Sequence, residues 1–207
     1  ILITHLKKIV DIERIAAKIA TAKVNPRELV SLKKSISEIQ KIKNIFEKNS
    51  IDLIVKTGKK LVTCKTIFSK IEKTIKEDAP VAVSKGNFIA EGFSKELDEL
   101  RGILKDGKSM LDKILKKELL KNDIPSLKIG FNNIFGYYFE VRNTHKEKVP
   151  NEWIRKQTLV NAERYINEDL KNYETKILGA EEKIQELELS YYSQLLNSLQ
   201  ENLDGIM

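Results

Sequence analysis

The sequence predicts a mostly α-helical chain in which two long antiparallel helices carry a small inserted β-rich domain at their tip. Three observations point there. Apolar residues recur at helical spacing through most of the 207 residues. The 4 prolines and 9 glycines gather at a few places, which leaves long stretches free of helix breakers. At residue 126 the apolar period drops from helical to two, and it returns to helical after residue 166. The chain thus divides into a helical segment 1–125, an insert 126–166 and a returning helix 167–207.

Leu2, Leu6, Ile9, Ile12, Ile15 and Ile19 form one apolar stripe and read as one helix ending before Asn25-Pro26. Pro26 suits the first turn of the next helix, whose face carries Leu29, Leu32, Ile36, Ile39, Ile42 and Phe46. Residues 51–78 read as a further helix with Leu61, Ile67, Ile71 and Ile75 inward, weakened at Gly58 and stopped by Pro80. Residues 81–93 read as a loop with short extended pieces. A helix of about 28 residues follows, with Leu97, Leu100, Leu104, Leu111, Ile114 and Leu119 as its stripe, and ends at Ile124-Pro125.

In the run SLKIGFNNIFGYYFEV the alternation of Leu127, Ile129 and Phe131, a turn signal at Asn132-Asn133, and the alternation of Tyr137, Phe139 and Val141 predict a β-hairpin. Tyr138 and Glu140 then fall on its other face. After the loop NTHKEKVPNEW comes a third extended segment, KQTLVNAERYI. The final helix has Leu170, Tyr173, Ile177, Ala180, Ile184, Leu187 and Tyr191 in a 3-4 repeat, with Asn167 as its N-cap and Glu168 and Asp169 at the positive end of its dipole.

The net charge of +7 is uneven. Residues 1–125 hold 27 Lys+Arg against 17 Asp+Glu, residues 126–166 hold 7 against 4, and residues 167–207 hold 3 against 9. The last helix is expected to neutralise part of the basic first half, so the basic balance is only modest support for a nucleic-acid partner. The single cysteine, Cys64, excludes an internal disulfide and reads as a half-buried helix residue. No apolar run reaches membrane-spanning length. The start without Met and the end inside a helical pattern suggest a piece of a longer chain. Two histidines, His5 and His145, have no spaced partners for a metal, and His5 reads as a packing residue. There is neither a phosphate-binding GxxxxGK[ST] loop nor a Gly-x-Ser-x-Gly turn, so no enzyme is expected in this stretch.

The insert concentrates aromatic, basic and amide side chains. Amides and cations at turn tips suit contacts to phosphates, which need donors and carry no sequence information. Composition alone supports equally a small β-domain whose aromatics are its own core and whose charges are solvated.

The runs SLKIGFNNIFGYYFEV and VPNEWIRKQTLVNAERYI resemble the clamp domain of the bacterial MutS mismatch-repair family. The runs IVDIERIAAKIATAKVNPRELVSLKKSI, NFIAEGFSKELDELRGIL and INEDLKNYETKILGAEEKIQELE resemble that family's helical core and its descending and returning lever helices, in order. The resemblance implies a clamp that grips the backbone of double-stranded DNA, joined by levers to an ATPase domain that this stretch lacks, as it lacks the mismatch-reading domain. It implies contacts at Asn132 and Asn133, then at Lys156, Val160 and Asn161, with Arg155, Lys128 and Lys146 as weaker candidates. Some family members carry Lys where Val160 stands. Glu163 and Arg164 are expected to pair at the clamp–lever junction. The parent resembles an ATP- and Mg-dependent cytoplasmic, nucleoid-associated homodimer that works with other repair proteins. This stretch is expected to bind no cofactor or membrane and to be a monomer. The alternative is a structural coiled-coil or partner-binding arm without DNA binding of its own, which would associate through its apolar seams.

Overall fold

The computed structural model describes residues 1–203. The helices are α1 (Leu2–Leu6), α2 (Ile12–Ala20), α3 (Pro26–Glu47), α4 (Asp52–Lys60), α5 (Lys65–Thr74), α6 (Lys95–Asn122) and α7 (Glu168–Gln200). Between α6 and α7 lie four strands, β1 (Lys128–Asn132), β2 (Gly136–Arg142), β3 (Ile154–Thr158) and β4 (Ala162–Ile166). No described helix is long and apolar enough to cross a membrane. The chain forms two compact units, Ile1–Lys95 with Gln185–Met207, and Glu96–Ile184.

The first unit is built around α3. Asn25 and Glu28 form a reciprocal capping box, the Asn25 side chain accepting from the Glu28 amide at 2.9 Å and Glu28 accepting from the Asn25 amide at 3.1 Å. Pro26 fills a first-turn position where its missing N–H costs nothing. Leu29, Leu32, Ile36 and Ile42 of α3 are buried, as are Ile15 and Ile19 of α2, Ile67 and Ile71 of α5, and Leu195 and Leu199 of α7, and α3 packs on α2 and α5. Tyr192 adds an edge-on contact with Phe88, ring centroids 5.4 Å apart, and its buried hydroxyl donates to the Val24 carbonyl at 2.7 Å. Glu188, 1% exposed, accepts from the backbone amide of Asn87 at 2.6 Å.

Three of the expected helix boundaries change here. The first stripe is two helices. α1 ends at Leu6, and the Asp11 side chain caps a new helix by accepting from the Arg14 amide at 2.9 Å. The expected helix over 51–78 is also two, broken at Leu61–Cys64 and ending at Thr74 rather than at Pro80. Cys64 therefore lies outside the helix, at its N-cap, with φ 39°. Gly58 is not the weak point. A Cβ there would stand 2.7 Å from that of Phe46, so glycine allows α4 to lie close against α3. Past α5, Ile75 bridges Ile89. The region 81–93 holds a 3-10 turn at Val83–Lys85 within its loop. His5 is half-buried, with its Nδ1 2.6 Å from Glu38 Oε2.

In the second unit, α6 has the expected 28 residues. Its partly buried Leu111, Ile114, Leu115 and Leu119 pack on a core of Ile124, Leu127, Phe139, Val141, Trp153, Tyr165 and Leu170. Asn167 caps α7 as expected, its Oδ1 accepting from the Leu170 amide at 2.9 Å. The Asn167 amide nitrogen donates to the buried carboxylate of Glu118 at 3.2 Å, which also accepts from Asn122 at 2.7 Å. The end of α6 and the start of α7 are thereby tied through one anionic side chain, and Lys117 adds a 2.6 Å ion pair to Asp169.

The sheet is antiparallel, in the order β1-β2-β4-β3. At the β1–β2 turn the Asn132 side chain accepts from the Ile134 amide at 2.8 Å, and Gly136 closes the turn with φ +76°. A side chain at 136 would collide with the Glu174 carboxylate of α7. Gly136→Ala should cost about 1–2 kcal/mol through the left-handed backbone, since the Glu174 carboxylate ends a flexible side chain that can move aside. Gly179→Ala, in an α7 position with open space around the missing Cβ, should stabilise by up to about 1 kcal/mol. Urea melts of the two variants check both signs.

Candidate nucleic-acid interface

The expected single extended segment after Trp153 is in fact a second hairpin, β3–β4, closed by residues 159–161. The Leu159 amide donates to the Ala162 carbonyl at 2.8 Å across this turn. Asn143, at the start of a 3-10 segment Asn143–Lys148, fastens it from outside. Its backbone amide donates to the Asn161 carbonyl at 3.1 Å, and its side-chain amide donates to the Val160 carbonyl at 3.0 Å. The turn is therefore held by its carbonyls, while Val160 is 91% exposed and the Asn161 side chain is exposed as well.

The register decides which candidate residues come together. Asn132 pairs with Gly136 at one end of β2, and Ala162 pairs with Arg142 at the other. The two hairpin turns thus point to opposite ends of the sheet, separated by the length of β2, about 20 Å at the usual rise per residue. Asn132 and Asn133 lie at one end. Val160 and Asn161 lie at the other, beside the segment that carries Lys146, with Arg155 and Lys156 on the strand leading into their turn. Lys128 stands apart on β1, opposite Glu140.

β3 is one of the two edge strands, and its ladder slips between Arg155 and Gln157, leaving Lys156 as the extra residue of a β-bulge. A bulge and a lysine on an open edge both discourage another strand from pairing there. They also free the Lys156 ammonium, which like the Asn161 side chain has no hydrogen-bond or ion-pair partner among the described residues. Arg155 is engaged, with a 3.3 Å ion pair to Glu163. The Tyr165 hydroxyl donates to the same carboxylate. That bond, and the charge of Arg155 and Lys146, hold the Glu163 carboxyl below its ordinary 4.5. Burial and the neighbouring Glu163 push the Tyr165 hydroxyl up to about 12.

Glu163 and Arg164 do not pair with each other, because adjacent residues of a strand face opposite sides. On the outward face Arg164 donates to Glu140 at 3.3 Å and to Gln157 at 2.8 Å, and its guanidinium lies 4.4 Å from the centre of the Tyr138 ring. Tyr138 takes the outward face expected for it and is nonetheless 8% exposed, because Arg164 and Phe135 cover it. Gly130 makes this possible, since a Cβ there would stand 2.6 Å from the ring. Asn143 was not among the expected site residues. Its part depends on a turn that the alternation of residues 156–166 does not reveal. Among the described residues no group of His, Cys, Asp and Glu is arranged to hold a metal ion.

The four-stranded insert and the long helix before it lie within a stretch that the family comparison matches. The model of MutS family domain IV matches residues 92–183. DNA mismatch repair protein MutS of Flavobacterium johnsoniae is 55% identical over 193 residues, which are 93% of this chain and 22% of that protein. The MutS proteins of Christiangramia forsetii and Bacteroides fragilis are 51% and 49% identical over 202 residues, each match covering 98% of this chain and 23% of the relative. The chain belongs to the MutS family, and spans less than a quarter of the length of these curated relatives.

The Glu163 cluster predicts a pH dependence. The folded state holds the carboxylate form, so its contribution to stability is complete above pH 4.5 and is lost as pH falls through the lowered folded value. Glu163→Gln should lower stability at neutral pH and flatten the loss of stability on acidification below 4.5. Denaturant melts across a pH series check this, and an unchanged acid slope would count against it.

Proposed function

We propose that this chain grips the backbone of duplex DNA through the β3–β4 hairpin, as the clamp of a MutS-type mismatch-repair protein. The observation that carries the reading is the free Lys156 ammonium and Asn161 amide beside a turn that Asn143 holds rigid. Donors without internal partners, displayed on a fixed frame, suit phosphate oxygens and select no base sequence. Lys146 adds positive charge near this end, while Arg155 is partly spent on Glu163. The hydrogen bonds and charge that the site offers suit binding to an anionic backbone.

In the longer relatives α6 and α7 would act as levers joining this grip to an ATP- and Mg-dependent domain. Two such clamps in a homodimer would enclose the duplex, together with other repair proteins. The chain alone, without that ring, should bind weakly as a monomer.

Fluorescence anisotropy with a fully paired and a mismatched duplex, over a salt series, tests the reading. Expected are equal, weak affinities that fall steeply with salt. Lys156→Ala should weaken binding to both duplexes alike and reduce the salt slope by about one. Asn161→Ala should weaken it severalfold with little change of slope, the loss of about one neutral hydrogen bond. Val160→Lys should strengthen binding and steepen the slope by about one. A preference for the mismatch, or indifference to all three substitutions, would refute the assignment.

A further inference from the structure

The other hairpin turn has the opposite chemistry. Residues 131–137 and α7 enclose a groove of about 330 Å³, lined by Phe131, Ile134, Tyr137, Leu178 and two carboxylates, Glu174 and Glu181. No Lys or Arg lines it. Three large apolar side chains stay open to solvent there, Ile134 at 90%, Phe131 at 57% and Leu178 at 50%. Glu174, Leu178 and Glu181 stand at i, i+4 and i+7, so they form one stripe of α7 with the apolar residue between the two acids. In a chain with 37 Lys and Arg, neither carboxylate has a hydrogen-bond or ion-pair partner among the described residues.

We propose that this groove docks a cationic amphipathic segment of a partner protein, an apolar side chain entering between Phe131, Ile134 and Leu178 while flanking Lys or Arg residues meet Glu174 and Glu181. An apolar patch rimmed by one sign of charge is the form such recognition takes. Charge selects the occupant. A phosphate backbone or an anionic membrane would face two uncompensated carboxylates, whereas a basic segment is steered towards them. The Asn132 side chain is already engaged by the Ile134 amide at 2.8 Å, so the turn is a preformed wall of the groove. The proposal stands independently of DNA binding by the β3–β4 hairpin, and departs from the DNA contacts that the resemblance implies at Asn132 and Asn133, which line this groove.

The test uses the 207-residue chain and a fluorescent amphipathic helical peptide of Leu and Lys, with its Leu/Glu counterpart as control. The Leu/Lys peptide should bind saturably and the Leu/Glu peptide should not. The double substitution Glu174→Lys with Glu181→Lys should weaken binding by about tenfold or more, and so should Ile134→Ser, the losses expected for rim charges and an anchoring side chain. Ile134 is exposed, so its substitution leaves the fold intact, which circular dichroism verifies, and duplex binding should not fall in either variant. Equal binding of the Leu/Lys peptide to the variants, or no binding to the parent chain, would overturn the proposal. Self-association of the chain lost in the same variants would overturn it too, by making a second copy the occupant.

Discussion

Both hairpins of the insert converge on Phe139. It is fully buried, it pairs in register with Ile129 on one side and Tyr165 on the other, and its ring stacks on Trp153 at 4.5 Å with a 15° interplanar angle. A strand shared in this way fixes the register of both neighbours, since a slip of one residue would turn every side chain to the wrong face. The antiparallel order β1-β2-β4-β3 sends the two turns to opposite ends of the sheet. It thereby separates the turn beside Lys156 and Asn161 from the acidic, apolar one. The separation would not survive a sheet in which the hairpins lay side by side with their turns together.

Charge is arranged with the same economy in the first unit. Lys33, with its side chain 9% exposed, meets Glu72 at 2.7 Å and Glu77 at 2.5 Å, Lys34 meets Glu77 at 2.7 Å, and Lys41 meets Glu38 at 2.6 Å. The Glu77 carboxyl is held below its ordinary range by Lys33 and Lys34, and that of Glu38 is held at about 2 by Lys41 and His5. These pairs join neighbours along or between α3 and the residues in and after α5. They account for basic charge that the uneven balance of the sequence seemed to leave for the acidic last helix. Exposed pairs of this sort add little stability each. Their consequence is that these cations of the first unit already have partners, so the bare excess of Lys and Arg overstates what is free to meet an external anion.

How much was legible in the sequence follows from which signals are local. The long helices α6 and α7, the Asn167 cap, the capping position of Pro26 and the first hairpin are written in period and in short motifs, and they stand where the reading puts them. The break between α1 and α2 was missed because Ile9 and Ile12 continue the apolar stripe across it, although Asp11 is a good cap. The β3–β4 turn was missed because its residues, Leu159, Val160 and Asn161, include no glycine or proline, and because a bulge at Lys156 disrupts the alternation on which strand reading rests. Of the candidate contacts, residue type alone could not show that Arg155 is bound to Glu163, that Lys128 stands apart on β1, or that Asn132 and Asn161 lie at opposite ends of one sheet. Those facts belong to register, which a single sequence expresses only weakly.

Asn143 shows how a turn without glycine or proline can be fastened from outside. Val160 and Asn161 carry side chains in a tight connection that needs no left-handed backbone at either residue. Two hydrogen bonds from one asparagine supply from outside the order that the local sequence does not provide. Because both bonds are accepted by backbone carbonyls, they leave the side chains at 160 and 161 free to vary without loss of the turn. If the proposed grip holds, a cation in place of the neutral residue at position 160 would add one charge to it, with the frame beneath unchanged.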